Sequence, residues 1–169
     1  MTKEERVNGT TPFQTIYDAF YNIVTDDMYL EWTKEETAAD LKNILIAAIP
    51  NFEFPRFKLY DYGKISEESE EYQFNFILTL EEINIFAQLM MIEWIKRQIA
   101  TVDVTKQKYS SKDFELTSQA NHLSKLISLK NDFKTDNKAA QRLYKRRKTD
   151  EDGYIVTNYA GLGGKENAN

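Results

Sequence analysis

The sequence predicts an α+β, mainly α domain of about four helices packed with one β-hairpin, followed by an extended C-terminal arm. Three observations predict it. Apolar residues recur at three- and four-residue spacing in four segments, they alternate with polar residues between positions 56 and 78, and the chain becomes polar and glycine-rich after Thr149. We therefore expect a helical domain at 1–148, with the hairpin at about 56–78, and an arm at 149–169.

The first two helices are predicted from apolar spacing and from their end signals. Pro12 is expected at the first helical position, where its missing N–H is not needed, and the apolar residues that follow it predict a helix that ends near 25–27. Thr33 and Glu36 have the spacing of a capping box, in which each side chain binds the other's backbone N–H. The helix that they begin is expected to stop at Pro50.

The hairpin is predicted where the apolar period changes from about 3.6 to 2. Phe57 and Leu59 alternate with polar residues in a short first strand. Residues 72–78 alternate more clearly and predict a second strand, one face of which is largely aromatic. The polar and acidic residues 63–71 are expected to form the loop between the two strands.

Two further helices are predicted after the hairpin. Thr79 and Glu82 form a second potential capping box, and the helix that follows is apolar around most of its circumference, which is typical of a central helix. The β-branched and polar residues at 100–111 are predicted to end it. The last helix is expected to begin near Phe114 and to bend or break near 136–137, before a strongly basic end.

Composition excludes several kinds of site. The chain has no cysteine, which excludes disulfides and cysteine-ligated zinc or iron–sulfur centres. The most apolar stretch, 83–99, is interrupted by polar and charged residues, so no membrane association is expected. The only glycine cluster, 161–164, is not followed by a helix and does not match a nucleotide-binding loop.

The sequence supports no catalytic, metal or cofactor site, and we do not expect an enzyme. His122 is the only histidine and lies on a predicted helix, where a surface or packing role is the usual one. Its neighbouring serines do not form the signature of a nucleophile with its base. Two acidic clusters, 26–31 and 67–71, could supply carboxylates to magnesium or calcium, but neither has the spacing of a calcium loop.

Charge is distributed unevenly along the chain. Residues 1–100 hold 18 acidic and 9 basic side chains, whereas residues 101–150 hold 6 acidic and 12 basic ones. This separation is compatible with two solvated faces of opposite sign, with head-to-tail matching between neighbouring copies, or with an acidic partner.

The basic end of the last helix is the first candidate contact surface. The residues concerned are Arg142, Tyr144, Lys145, Arg146, Arg147 and Lys148, and Lys125, Lys130, Lys134 and Lys138 extend the charge toward the N-terminus. Three interpretations remain open: a solvated helix face, a surface for DNA or RNA phosphates, and a surface for an acidic protein.

The C-terminal arm is the second candidate contact surface. Tyr154, Ile155, Val156 and Tyr159 are apolar or aromatic residues in a segment that ends in glycines. They are expected either to fold back on their own domain or to contact a neighbour by adding a strand or filling a groove.

In its layout and in the residues of three segments, the chain resembles the neck or head–tail connector proteins of tailed bacteriophages. The segments that carry the resemblance are 25–32 before a capped helix, 52–56 after it, and 105–114 before the long helix with the basic end. The resemblance implies a virion structural protein that forms an oligomeric ring between portal and tail. It also implies assembly in the host cytoplasm, contacts with portal and tail components, and a channel through which DNA passes without specific binding. The alternative is a nucleic-acid-binding accessory protein that uses the basic helix at 142–148.

Overall fold

The computed structural model of the protein describes residues 3–24, 33–108, 116–149 and 155–156. These residues form five helices and five short strands. The helices are α1 (Lys3–Val7), α2 (Phe13–Tyr21), α3 (Lys34–Ala48), α4 (Leu80–Lys108) and α5 (Leu116–Arg146), with a single 3₁₀ turn at Ile49–Asn51. The strands are β1 (Thr11–Pro12), β2 (Tyr62–Lys64), β3 (Tyr72–Phe74), β4 (Lys148–Thr149) and β5 (Ile155–Val156). The mainly α, α+β class that the sequence predicts is confirmed.

Helix α4 is the central element of the fold, as its apolar circumference predicts. It packs against α2, α3 and α5. Phe86, Met90 and Ile95 on α4 are completely buried, together with Phe20 of α2 and Ile44 of α3. Burial of apolar side chains on most sides of one helix removes them from water and is the main stabilising contribution of this arrangement.

The three-stranded sheet is antiparallel and has the order β1–β3–β2. Phe74 lies opposite both Thr11 of β1 and Tyr62 of β2. Its ring contacts Phe13 at 4.9 Å and Phe86 at 5.6 Å between centroids. The aromatic face expected for the hairpin therefore packs on α2 and α4, and it connects the sheet to the helical core.

The hairpin exists, but its first strand is not at the position that the sequence predicts. Residues 56–60 do not form a strand, because the chain turns there, with Asp61 N donating to Lys58 O at 2.8 Å, and pairing begins at Tyr62. Phe57 still packs inward and stacks on Phe76 at 5.1 Å. The alternation of apolar residues at 56–60 therefore reflects burial of side chains, and these residues form no strand.

The N-terminal residues form elements that the sequence does not predict. Helix α1 places Arg6 against the junction between β3 and α4, where Arg6 O accepts from Ile77 N at 2.8 Å. Pro12 lies in β1, one residue before α2, rather than at the first helical position. The helix after it ends at Tyr21, earlier than the predicted end at 25–27, and residues 25–27 lie outside the described part of the chain.

The long helices do not break where the sequence predicts. Helix α4 continues to Lys108, because Ile99 and Val102 extend its apolar stripe and pack against the core cluster. Helix α5 is continuous through 136–137, because Asn137 is 1% exposed and its amide bonds to α4 instead of to its own backbone. Packing between helices overrides the weak local preference of β-branched and Asn residues.

Candidate interaction surface on the last helix

Helix α5 packs mainly against α4 and uses a narrow stripe for this contact. Leu126, Asn137, Gln141 and Tyr144 are its buried residues among those described, and most of the remaining described side chains of α5 are exposed. The apolar side chains of Ile127, Leu129 and Leu143 are 39%, 39% and 51% exposed. A helix of 31 residues with one covered stripe leaves a large surface for other molecules.

Cations recur along one side of this exposed surface. Lys130, Lys134, Lys138 and Arg142 follow each other at four-residue intervals, so they lie one turn apart on the same side of the helix. The row is about 18 Å long at the helical rise per residue. Asp132 and Asp136 lie at the intervening positions, on a different side of α5. The sign of the charge therefore differs between two sides of one helix.

A groove of about 300 Å³ runs beside this row, between the 3₁₀ turn, α4 and α5. Its charged lining residues are Lys96, Lys130, Lys134 and Lys138 with Glu53. Its remaining lining residues are Asn51, Leu89, Ile92, Asn137 and Gln141. Leu89 and Ile92 are almost completely buried and form the apolar base of the groove. The groove thus combines an apolar base with a cationic rim.

Two buried amides hold the walls of this groove together. Asn137 Nδ2 donates to Ile85 O of α4 at 3.0 Å, and Gln141 Nε2 donates to Asn137 Oδ1 at 2.7 Å. Gln141 Oε1 in turn accepts from Glu53 N at 2.6 Å. Because buried amides are costly to leave unpaired, this chain of hydrogen bonds fixes the position of α5 on α4 and beside the segment that follows the 3₁₀ turn.

The C-terminal end of α5 is fixed by Arg56. Arg56 Nη2 donates to Tyr144 O at 2.9 Å and to Arg147 O at 2.6 Å. The same guanidinium lies 4.3 Å from the centre of the Tyr144 ring. Arg147 Nη1 pairs with Glu81 Oε1 at 2.8 Å. A cation that binds the last carbonyls of a helix satisfies acceptors that have no partner within the helix and complements its dipole.

Glu82 joins this end of α5 to the start of α4. Its carboxylate accepts from the Tyr144 hydroxyl, from Arg6 Nη2, and from Thr79 N at 2.7 Å. Thr79 Oγ1 also accepts from Glu82 N, which confirms the predicted capping box. Burial raises the pKa of Tyr144 above its usual range, and the adjacent carboxylate of Glu82 raises it further, so the hydroxyl keeps its proton and remains a donor.

The predicted contact residues of the basic helix occupy different environments. Arg142, Lys145 and Arg146 are exposed, although the ammonium of Lys145 lies 4.2 Å from the Phe54 ring. Tyr144 is 1% exposed, so its side chain belongs to the chain's own core and is not presented to a partner. The guanidinium of Arg147 is engaged by Glu81.

The described part of the arm pairs with the residues that follow α5. Ile155 and Val156 form β5, which pairs antiparallel with Lys148 and Thr149 of β4. These two residues thus pair with their own chain, and contact of the arm with a neighbour stays a prediction. The predicted boundary between 148 and 149 falls inside β4. Tyr154 and Tyr159 lie outside the described residues.

Among the described residues, the remaining candidates from the sequence show no metal-binding geometry. His122 is exposed on α5. Within the described ranges, the acidic and histidine side chains do not converge in groups that could hold a metal ion, and the cluster at 67–71 lies within those ranges. The acidic residues at 26–31 fall outside them.

Sequence reasoning identified the lysines of α5 but not the groove. Lys96 and Glu53 come from other parts of the chain, and no local pattern relates them to α5. Asn137 and Gln141 stand four residues apart, at helical spacing from the apolar Leu126 and Tyr144. Polar residues at such positions are the one sequence signal that could have indicated a buried polar contact between two helices.

Among the described helices, none has an apolar stretch long enough to traverse a lipid bilayer. Comparison with known protein families, with curated proteins and with solved structures finds no match to this chain.

Proposed function

We propose that this chain is a non-catalytic structural subunit of a virion, of the neck or head–tail connector kind that its sequence resembles. The observation that supports the proposal best is the surface of α5. Among its described residues, this helix of 31 residues is covered along one stripe and otherwise presents cations and three exposed apolar side chains. A long helix that is fixed on its own domain and largely uncovered is suited to contacts between subunits.

The buried hydrogen bonds that fix α5 on α4 support the same proposal. Glu82 and Tyr144 bind each other, and so do Asn137 and Gln141. These residues hold α5 rigidly on α4. A rigid helix loses little conformational entropy when a partner binds it, which favours assembly.

The proposed subunit would form a ring of copies between portal and tail, in contact with components of both. DNA would pass through the ring without specific binding, and no membrane would be involved. The protein would assemble in the host cytoplasm and remain in the virion.

Sedimentation of a lysate from the source of this chain, followed by peptide mass spectrometry of the fractions, tests the proposal. We expect the chain in large particles, at a fixed ratio to other structural proteins. Recovery of the chain only at the top of the gradient would contradict a virion role.

A truncation tests the contribution of the arm. Removal of the residues after Thr149 deletes β5 but leaves α1–α5 intact, so we expect an unchanged helical circular dichroism spectrum and loss of incorporation into particles. A matched truncation after Ala160 retains β5 and controls for chain length. Equal incorporation of both shortened chains would exclude a role of the 150–160 segment in assembly.

Exposure of Arg142, Lys145 and Arg146 supports a second candidate, a nucleic-acid-binding accessory protein that uses 142–148. Titration with duplex and single-stranded DNA at two salt concentrations tests it. Phosphate contacts must weaken steeply as salt rises, because binding releases condensed counterions. Binding that does not change with salt, or no binding at low salt, would exclude this candidate.

A further inference from the structure

We propose that the groove between α4 and α5 binds the acidic loop between β2 and β3 of a second copy of this chain, in a head-to-tail contact. The inference rests on the proposed assembly role and names the two surfaces through which the copies meet.

The groove has the cationic groups that such a contact requires. Among the described residues, Lys96 pairs with Glu93, whereas no carboxylate forms an ion pair with Lys130, Lys134 or Lys138. These three ammonium groups lie along α5 over about 12 Å, at the helical rise per residue. Glu53 is the single acidic residue of the lining. The groove therefore attracts anions.

The loop has a matching acidic charge and a defined shape. Ile65 N donates to Glu71 O at 3.0 Å, Ser69 N donates to Ser66 O at 3.2 Å, and Ser69 Oγ accepts from Glu71 N at 3.0 Å. The loop carries Glu67, Glu68, Glu70 and Glu71, all of them exposed. Of these four glutamates, only Glu70 forms an ion pair with another described residue, Lys64, at 3.0 Å. The preformed loop therefore presents carboxylates without a large cost of ordering on binding.

The loop is compact, because Ile65 N donates to Glu71 O across its base. Its four glutamates therefore lie close together and can approach the three lysines of the groove at the same time. Ile65 is 41% exposed at the start of the loop. Its exposed side chain stands beside the carboxylates of the loop in the sequence. Because Leu89 and Ile92 are almost completely buried, the match between the two surfaces rests on charge.

The loop and the groove are separate surfaces of one molecule. The loop residues Ile65, Glu70 and Glu71 line a second cavity, of about 350 Å³, together with residues of α2 and α3. No residue lines both this cavity and the groove. A contact between two different surfaces is heterologous, so repeating it closes a ring or extends a filament.

Local charge complementarity is the argument for a second copy as the occupant, because the net charge of -5 opposes the approach of a long polyanion and of another copy alike. A short loop places its carboxylates directly beside the lysines, and the same chain supplies it at equal concentration.

Charge reversal at each surface tests the pairing. We compare the wild type with Glu67→Lys/Glu68→Lys, with Lys130→Glu/Lys134→Glu, and with an equimolar mixture of the two variants, by sedimentation velocity at low and high salt. All four positions are exposed or partly exposed, so folding is expected to persist and is checked by circular dichroism. We expect each variant alone to self-associate at least about tenfold more weakly, which corresponds to about 1.4 kcal/mol. The mixture should recover association, because each reversed loop then meets a reversed groove.

A matched control reverses two exposed lysines outside the groove, Lys58→Glu/Lys125→Glu, with the same change in net charge. Association of this control should fall much less than that of the groove variant.

Three results would overturn the inference. Wild-type self-association that neither reversal weakens would refute the pairing and leave the virion role untouched. A purified chain that stays monomeric at all concentrations but enters particles would refute contact between copies and leave a role as a connector to other proteins. DNA binding that requires Lys130 and Lys134, without self-association, would assign the groove to nucleic acid. Failure of the virion proposal itself is detected separately, by the sedimentation of the lysate.

Discussion

The hydroxyl of Tyr144, in the last turn of α5, donates to Glu82 Oε1 in the first turn of α4. Tyr144 is 1% exposed and Glu82 is 2% exposed, so the bond lies inside the core. The other carboxylate oxygen of Glu82 accepts from Arg6. One buried carboxylate thus joins the N-terminal helix and the ends of the two longest helices, and its hydrogen bonds compensate for its loss of hydration.

The Tyr144→Phe variant should be destabilised by about 1–3 kcal/mol, because it leaves a buried carboxylate oxygen without its donor. The ring contacts with Phe52 and Arg56 are retained, so the loss reports the hydroxyl. Urea denaturation measures the change. Tyr60→Phe, at a side chain that is 69% exposed, is the matched control and should be neutral. Equal stability of the two variants would show that the bond to Glu82 contributes nothing.

Stability should fall at alkaline pH. Burial raises the pKa of Tyr17 and of Tyr144, so both stay protonated in the folded chain while they ionise in the unfolded chain above the usual tyrosine value of 10.0. The stabilisation is therefore complete below about pH 10 and decreases above it. Urea midpoints between pH 8 and about pH 11 measure this decrease. The decrease should be smaller in Tyr144→Phe; an identical pH profile would contradict the assignment.

Gly9→Ala should destabilise the chain by about 1–3 kcal/mol, because a Cβ at this position would overlap the side chain of Ile77. The overlapped atoms are Cγ1 and Cδ1 of Ile77, so relief requires this partly buried side chain to adopt another rotamer or the N-terminal segment to shift. Gly63→Ala is the matched control, since no atom lies within 4 Å of a Cβ at that position. Thermal denaturation measures the melting temperature of both variants. Equal melting temperatures would contradict the prediction and would mean that the N-terminal segment shifts to make room for the Cβ.

Thr33→Ala should cost about 1 kcal/mol, because Thr33 Oγ1 accepts from Glu36 N at the first turn of α3. The backbone N–H and the side chain of Thr33 bind the Glu36 carboxylate and lower its pKa. This contribution is therefore present above the usual pKa of glutamate and is lost as pH falls through the lowered value. Urea denaturation from neutral to acidic pH should show a weaker acid dependence in Thr33→Ala. Because the backbone N–H at position 33 remains in this variant, an unchanged dependence would contradict a contribution of the Thr33 hydroxyl to the pKa of Glu36.

Features that depend on neighbouring residues could be predicted from the sequence. Both capping boxes join residues three positions apart, and both are confirmed. The continuity of α5 could not be predicted, because Asn137 finds its acceptor on Ile85, 52 positions earlier. The predicted start of the hairpin is wrong because Phe57 is partly buried by a contact with a distant residue, Phe76, and this contact does not require strand pairing. The charge of the groove was partly predictable from α5, whereas the contribution of Lys96 needed the fold.

The contacts of the N-terminal segment also determine the order in which the chain can be completed. Arg6 binds Glu82, and Thr11 Oγ1 accepts from Leu78 N. Helix α1 and strand β1 therefore depend on residues 76 and 67 positions further along the chain. During synthesis Arg6 and Thr11 emerge before their partners, so their binding site does not exist until the start of α4 has left the ribosome. Closing loops of this length also slows folding. These residues are therefore made before their partners and must wait for them to reach their final place.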